Sequence, residues 1–510
     1  MSECCLALPV FLPILGGMLL LILRSGIRGS AGEKHMDAGV EGLVLFNSTL
    51  VFLLLAGLWK SWIDGETVIR SLVLFRLFGN LTVMFKLDLM GSVFAGLVAF
   101  LWPLATLYAF EYMKEETRKP AFFAFYIMTY GVTLGIALAG NLVTLYLFYE
   151  VLTLVTFPLV LYPMTREAVR ASRKYLYYSI GGAAFAFLGM VFVLGFSTTG
   201  NTEFLAGGVL DPQIAGELRQ VLLLIYVLAF FGFGVKTALF PCHGWLPDAT
   251  VAPTPVTALL HAVAVVKSGA FAIMRFTYYS YGTAFLQGTW AQWTVMTAAM
   301  LTIVYGSTMA VREVHWKRRL AYSTISNLSY ILFGASLMSP AGLAAALSHM
   351  TAHAFMKICS FFCAGAVMHQ TGKTHVYELD GLGRRMPVTF GCLTIASLSL
   401  MGIPLFAGFI SKWNLAQAAF AVENGWLPYA GVAVILYSTL MTGIYMLTVL
   451  VRAYFPKNGA EYEARPDQPV RDPGWMMLLP LLIFAVMILG IGLHSAPLMK
   501  LFNAIGGEMG

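Results

Sequence analysis

The chain has 510 residues, of which 59% are hydrophobic and 11% charged, well below the roughly 25% charged residues of a soluble globular domain. Such a composition leaves no room for a soluble domain and makes the chain an integral membrane protein, its apolar runs tiling almost the whole length in the lipid bilayer. Nor does the net charge of +7 mark a nucleic-acid partner, because the basic residues are scattered through short loops and form no patch.

Apolar runs and breaker residues predict an all-α polytopic fold of about 14 transmembrane helices, near 4–23, 39–59, 87–110, 120–138, 141–163, 174–196, 220–240, 253–277, 291–311, 319–338, 341–367, 388–415, 428–453 and 475–497. No basic region precedes the run from Leu6 to Leu23, which reads as a retained first helix and not a cleaved signal. Most basic residues follow odd-numbered spans, among them Arg24, Arg28, Lys114, Arg166, Arg170, Arg318, Arg384, Lys457 and Arg465, while Arg70 and Lys86 are among the few on the other side. The positive-inside rule then puts both termini on the outer side of the cell inner (cytoplasmic) membrane. Cys4, Cys5, Cys242, Cys359, Cys363 and Cys392 include no C-x-x-C and no metal-ligand spacing, so they read as small hydrophobic residues.

Span five carries Glu150, nine residues past Asn141 and thus about 13 Å into a helix at 1.5 Å per residue. A carboxylate at that depth needs a cation, and Lys236 in span seven is the natural partner. A structural ion pair is the plainer reading, but buried pairs rarely add stability over apolar packing, which favours a pair that opens and closes. Around it, the stretch 231–274 joins two apolar segments, each with a lysine, through a bend containing Pro241, His243, Trp245, Pro247, Asp248, Pro253 and Pro255. A lysine within hydrocarbon costs about 2.5 to 3.5 kcal/mol on insertion scales, so intramembrane lysines mark ion pathways. Lys236 lies close enough to Pro241 to snorkel, whereas Lys267, twelve residues after Pro255, is about 18 Å into its span. His261 adds a polar group six residues before Lys267.

Span ten contains Ser323, Thr324, Ser326, Asn327, Ser329 and Tyr330, side chains suited either to holding bridging waters or to helix packing. In span eleven His349, His353 and Lys357 recur at i, i+4 and i+8 and share a helical face. Two histidines so spaced can bind zinc, but HMTAH lacks the glutamate of H-E-x-x-H, and a row that passes protons suits it better. Span twelve carries Lys412 just after GIPLFAGF, where Gly402, Pro404 and Gly408 should open the backbone ladder as the prolines of span seven do. Interrupted helices in corresponding positions point to two repeats, spans four to eight and nine to thirteen, around midplane sites.

These residues resemble the antiporter-like membrane subunits shared by respiratory complex I, membrane-bound hydrogenases and Mrp-type sodium/proton antiporters. The matching features are Tyr149–Glu150, KTALFPCHGWLPDA, APTPVTALLHA leading into VVKSGA, KRRLAYSTISNLSYI, HAFMK and GIPLFAGFISKW, in the family's order from about residue 120 to 415. The resemblance implies N-terminal helices in 1–119, a proton-translocating core in 120–415 within inverted five-helix repeats 120–277 and 291–453, broken helices seven and twelve, and a loop and last helix in 454–510. It makes Glu150 and Lys236 the coupled acid and lysine, Lys267 the first relay lysine, His349 and Lys357 the central relay, and Lys412 the outward terminal group, a glutamate in some members. The chain ends soon after span fourteen, which is more like the shorter members of the family.

The expected activity is proton pumping by a non-redox subunit of a redox-driven complex, complex I-like or hydrogenase-like, with other membrane subunits as partners and protons as the ion. Mrp-type sodium/proton exchange is the alternative, and an intramembrane metalloenzyme using His349 and His353 a remote one. No cofactor is expected, since the sequence shows neither G-x-G-x-x-G after a strand, nor a cluster cysteine pattern, nor a haem motif.

Overall fold

A lipid interior offers the backbone no hydrogen-bonding partners, so an apolar chain must satisfy its amides within helices, and most residues of the computed structural model are helical. It describes residues 6–26, 32–63, 71–78, 81–198, 202–422, 425–456 and 470–509. Cys4, Cys5, Arg28, Arg70, Lys457 and Arg465, and with them most of the loop expected after residue 454, lie outside the described residues. Ten described helical stretches, among them the interrupted run Thr254–Tyr281, are long and apolar enough to cross a membrane, and Leu8–Leu23, Arg219–Gly234 and Pro387–Met401 are shorter apolar helices.

The chain forms two compact units. The first begins with α1 (Leu8–Gly26), α2 (Gly32–Ile63), a hairpin of β1 (Ser71–Phe78) and β2 (Leu81–Lys86), α3 (Leu89–Tyr112), α4 (Lys119–Ala137), α5 (Leu142–Leu161), α6 (Arg166–Gly195), α7 (Pro212–Glu217) and α8 (Arg219–Gly234). Side-chain caps set several of these starts: Asp88 accepts from Gly91 N at 2.7 Å before α3, and Asn141 from Thr144 N at 2.8 Å before α5. Helix α1 lies on α4, α4 on α5, and α6 on α8. At the α6–α8 contact a Cβ on Gly232 would stand 2.6 Å from Ala186 N and 2.7 Å from Gly182 O, so glycine lets the two backbones touch.

The connecting segment holds α9 (Trp245–Asp248) and α10 (Thr254–Ala262), after which α11 (Val265–Arg275), a π-helical segment Phe276–Tyr281 and α12 (Thr283–Leu286) rejoin the first unit. Helix α11 packs on α4, α5 and α8. The second unit comprises α13 (Trp290–Arg312), α14 (Trp316–Ser336), α15 (Pro340–Thr371), α16 (Leu382–Arg385), α17 (Pro387–Met401), α18 (Ala407–Phe420), α19 (Leu427–Tyr454), α20 (Trp475–Leu493) and α21 (Ala496–Gly507). Its axis is α15, started by Ser339 and Pro340, ended at the left-handed Gly372, and touched by α14, α17, α18, α20 and α21. Every residue of α15 from Gly342 to Val367 is buried.

The structure corrects the expected fold in four places. The all-α expectation misses the β1–β2 hairpin, whose second strand is fixed to the α4–α5 turn by Lys86 N to Leu138 O at 2.8 Å, Gly140 N to Met84 O at 3.0 Å and Met84 N to Thr144 Oγ1 at 2.9 Å. Span seven stops at Gly234, so Lys236 sits in a turn and not within a helix. Span eight is interrupted between Ala262 and Val265, which puts Lys267 in the first turn of α11 instead of deep in a continuous helix. Beyond the last expected span stands a further amphipathic helix, α21, docked on α15.

Candidate functional site

All eight residues singled out in the sequence are described, and seven are almost wholly buried: Lys236, His261, Lys267, His349, His353 and Lys357 at 1% exposure or less, Lys412 at 7%. Glu150 is half-buried on α5. Desolvating an amine is costly unless polar groups meet it, and the structure shows which groups do so.

In the first unit, the turn after α8 points the Lys236 ammonium at α5, where it donates to the Tyr149 carbonyl and stands 3.4 Å from the centre of the Tyr149 ring. Tyr149 is held in turn, its hydroxyl donating to Phe233 O at 3.0 Å. Among the described residues Glu150 and Lys236 make no ion contact within 4.0 Å, although the carboxylate lies within electrostatic reach of the amine. The direct pair expected from the sequence is thus open here, because the carbonyl and π face of Tyr149 take up the ammonium. Lys267 is fully buried in the first turn of α11. At the other end of α11, Arg275 Nη2 meets Asp88 Oδ1 at 2.6 Å, with the guanidinium 4.7 to 5.1 Å from the rings of Tyr279, Phe204 and Phe271. That ion pair ties α11, and so Lys267, to the cap of α3.

In the second unit, His349 and His353 stack along α15 with ring centres 5.9 Å apart, and His349 Nδ1 is 2.9 Å from Ser411 Oγ on α18. Among the described residues no three His, Cys, Asp or Glu side chains gather as a metal-binding group. Lys357 leaves the same helix toward α14 and donates to Leu320 O at 3.2 Å and to Ser323 Oγ at 2.5 Å. Lys412 lies just past the break between α17 and α18 and donates to Leu400 O at 2.8 Å and to Thr439 Oγ1 at 3.0 Å, with the Tyr330 ring centre 5.6 Å away. Its pocket requires glycine: Gly402 has φ +80°, a Cβ there would press on Lys412 Cδ at 3.1 Å, and one on Gly408 would overlap the Ser399 carbonyl. His261, on the α10 residues of this unit, packs its ring 4.8 Å from that of Phe361.

The structure also separates the span-ten polar residues. Thr324, Ser326 and Asn327 bond back to carbonyls of their own helix at 2.7 to 3.0 Å, whereas Ser323 reaches out to Lys357. No role was expected from the sequence for Tyr149, Ser411, Thr439, Thr442 or Tyr445. A signal for Thr442 and Tyr445 was present, since with Ser438 they recur at i, i+4 and i+7 in an otherwise apolar span.

Four buried amines and three buried imidazoles set among apolar helices define the class: a polytopic membrane protein with ionisable groups in its interior. The chain belongs to the family described as NADH:quinone oxidoreductase/Mrp antiporter, TM, to which residues 139–441 match. It is 33% identical to NADH-quinone oxidoreductase subunit N of Desulforudis audaxviator, over 78% of this chain and 79% of that one. With the A/B subunit of a probable K(+)/H(+) antiporter from Rhizobium meliloti it shares 31% identity over 96% of its length, yet spans only 47% of that longer relative. The fold is that of a chain in the membrane-bound sulfane sulfur reductase, an archaeal respiratory membrane complex, with TM-score 0.82, 24% identity and coverage of 100% of this chain and 98% of that one.

Proposed function

We propose that this chain is a proton-translocating subunit of a multisubunit, redox-driven membrane complex, and that Glu150, Lys236, Lys267, His261, His349, His353, Lys357 and Lys412 carry the protons. The observation that carries the reading is the burial of four lysines among apolar helices, three within them and Lys236 in the turn after α8, where ionisable groups belong to ion pathways. Lys236 and Lys267 fall in one compact unit, and Lys357 and Lys412 in the other. The open Glu150–Lys236 pair gives the relay a switch: moving the carboxylate toward or away from the amine changes which protonation state the amine favours. An event in a neighbouring subunit that shifts Glu150 on its half-buried face of α5 then loads or unloads Lys236.

The finer topology belongs to the same proposal. The ten long helical stretches, the three shorter apolar ones and the polar α14 would make fourteen crossings. Two inverted repeats, 120–277 and 291–453, are supported by the division into two units and by the helix interruptions beside Lys236 and Lys412. Residues 1–119 then stand before the repeats and 454–510 after them, in a cytoplasmic membrane with both termini outside by the positive-inside rule.

The test is proton uptake into vesicles carrying the assembled complex. Lys236→Met and Lys267→Met should each abolish translocation while the complex still assembles, and unchanged pumping removes the residue from the path. A second reading, cation/proton exchange with Na+ or K+ as the counter-ion, is favoured by the antiporter relative that matches 96% of this chain. Co-purifying subunits discriminate: iron–sulfur or hydrogenase subunits support redox coupling, small antiporter subunits support exchange.

A further inference from the structure

A line of hydroxyls in the second unit leads from one buried lysine toward the other. Lys357 Nζ donates to Ser323 Oγ at 2.5 Å, Ser323 Oγ lies 2.6 Å from Tyr445 Oη, and Tyr445 donates to Thr442 Oγ1 at 3.1 Å. From the other end, Lys412 Nζ donates to Thr439 Oγ1 at 3.0 Å. Thr439 and Thr442 are one turn apart on α19, about 4.5 Å along the axis, a separation that rotation of the two hydroxyls and one bridging water spans. Ser323, Thr442 and Tyr445 are at most 1% exposed, so little bulk water competes for these bonds.

The surrounding contacts hold the line in place. Arg319 donates to Glu313 O at 2.8 Å and to Tyr445 O at 3.1 Å, fastening the start of α14 to α19 beside the Ser323–Tyr445 contact. Two turns back from Tyr445 on α19, Ser307 of α13 donates to Ser438 Oγ at 2.8 Å. Thr324 and Ser326 bond back to carbonyls of their own helix. Ser323 and Tyr445 instead bond each other across two helices.

We propose that Ser323, Tyr445, Thr442 and Thr439 form the proton-conducting link between Lys357 and Lys412. The proposal rests on the proton-translocation reading above and adds the route for one of its steps. In that step the Lys357 ammonium gives a proton to Ser323 Oγ as the Ser323 hydroxyl proton passes to Tyr445 Oη and that of Tyr445 to Thr442. The Thr442 hydroxyl turns from the Ser438 carbonyl, on which it rests at 2.7 Å, and delivers its proton to the bridging water, which passes one of its own through Thr439 to a neutral Lys412 amine. One proton leaves Lys357, one arrives at Lys412, and each hydroxyl ends with the single proton it began with.

The experiment compares initial rates of proton translocation in vesicles carrying the assembled complex. Tyr445→Phe keeps the ring and Thr442→Val keeps the shape, and each should slow translocation about a hundredfold or more, the scale on which removing a positioned proton-transfer group acts. Thr442→Ser, which restores the hydroxyl, should recover the rate, a result that loss of packing alone does not produce. Equal loss in Thr442→Ser and Thr442→Val overturns the link even where Tyr445→Phe fails to assemble. Parent rates in Tyr445→Phe and Thr442→Val, alongside inactive Lys357→Met and Lys412→Met, overturn the link and leave the translocation reading standing. Parent rates in the lysine variants remove both.

Discussion

The Asp88–Arg275 contact should be the costliest single polar interaction to break in the first unit. Asp88 caps α3 through Gly91 N at 2.7 Å and accepts from Arg275 Nη2 at 2.6 Å, with the Arg275 side chain at 0% exposure and that of Asp88 at 20%. Removing one partner of a buried pair costs about 3 to 5 kcal/mol, and the partial exposure of Asp88 puts this pair near the lower end. Asp88→Asn, which keeps the cap but not the charge, should lose about 3 kcal/mol, and Asp88→Ala about 4, since a helix cap contributes roughly 1 kcal/mol more. Replacing both partners by apolar residues, Asp88→Ala with Arg275→Met, should recover much of the loss because no guanidinium is left buried without its carboxylate. Chemical unfolding of the purified protein in micelles, followed by helical circular dichroism, measures all three. If Asp88→Asn unfolds within about 1 kcal/mol of the parent, the usual scale of an ordinary substitution, or if the double variant is no more stable than Asp88→Ala, the electrostatic argument is wrong. The contact bears on function because Lys267 sits eight residues, about 12 Å, along α11 from Arg275.

Gly408→Ala should abolish translocation and destabilise the second unit by about 1 to 3 kcal/mol, since its Cβ overlaps the Ser399 carbonyl and displaces the start of α18 with Lys412; parent activity in the assembled complex would falsify this. Outside the spans, burial and the neighbouring Lys317 hold the His315 imidazole down at about 4. The unfolded chain binds that proton near pH 6.5, so the stability His315 contributes is complete above 6.5 and lost as pH falls toward 4. Melting temperature against pH in detergent should show this loss in the parent and a shallower one in His315→Gln, and two superimposable curves would refute it.

What was legible from the residues alone was whatever depends on composition or helical periodicity. The apolar runs dictated membrane helices, since lipid permits little else, and a charge in such a run costs enough to mark itself, which is why Glu150, the four lysines and the α15 histidines stood out. Even the hairpin had a local cue, the Gly79–Asn80 pair between two runs rich in Val, Phe and Leu. The interruption before Val265 had none, because neither glycine nor proline stands among residues 262–265.

Only the tertiary structure decided which oxygen each buried amine meets. Lys236, expected to pair with Glu150, bonds the Tyr149 carbonyl, and Lys357 turns from its own histidines toward Ser323. These partners come from helices far away in the chain; a backbone carbonyl leaves no mark in hydropathy or charge, and a hydroxyl that does leave one does not say which amine it will meet. Sequence therefore determined where ionisable groups had to be buried, through the free energy of transfer into lipid. Helix packing determined how they connect, because hydrogen bonds form only over a few ångströms and in definite directions.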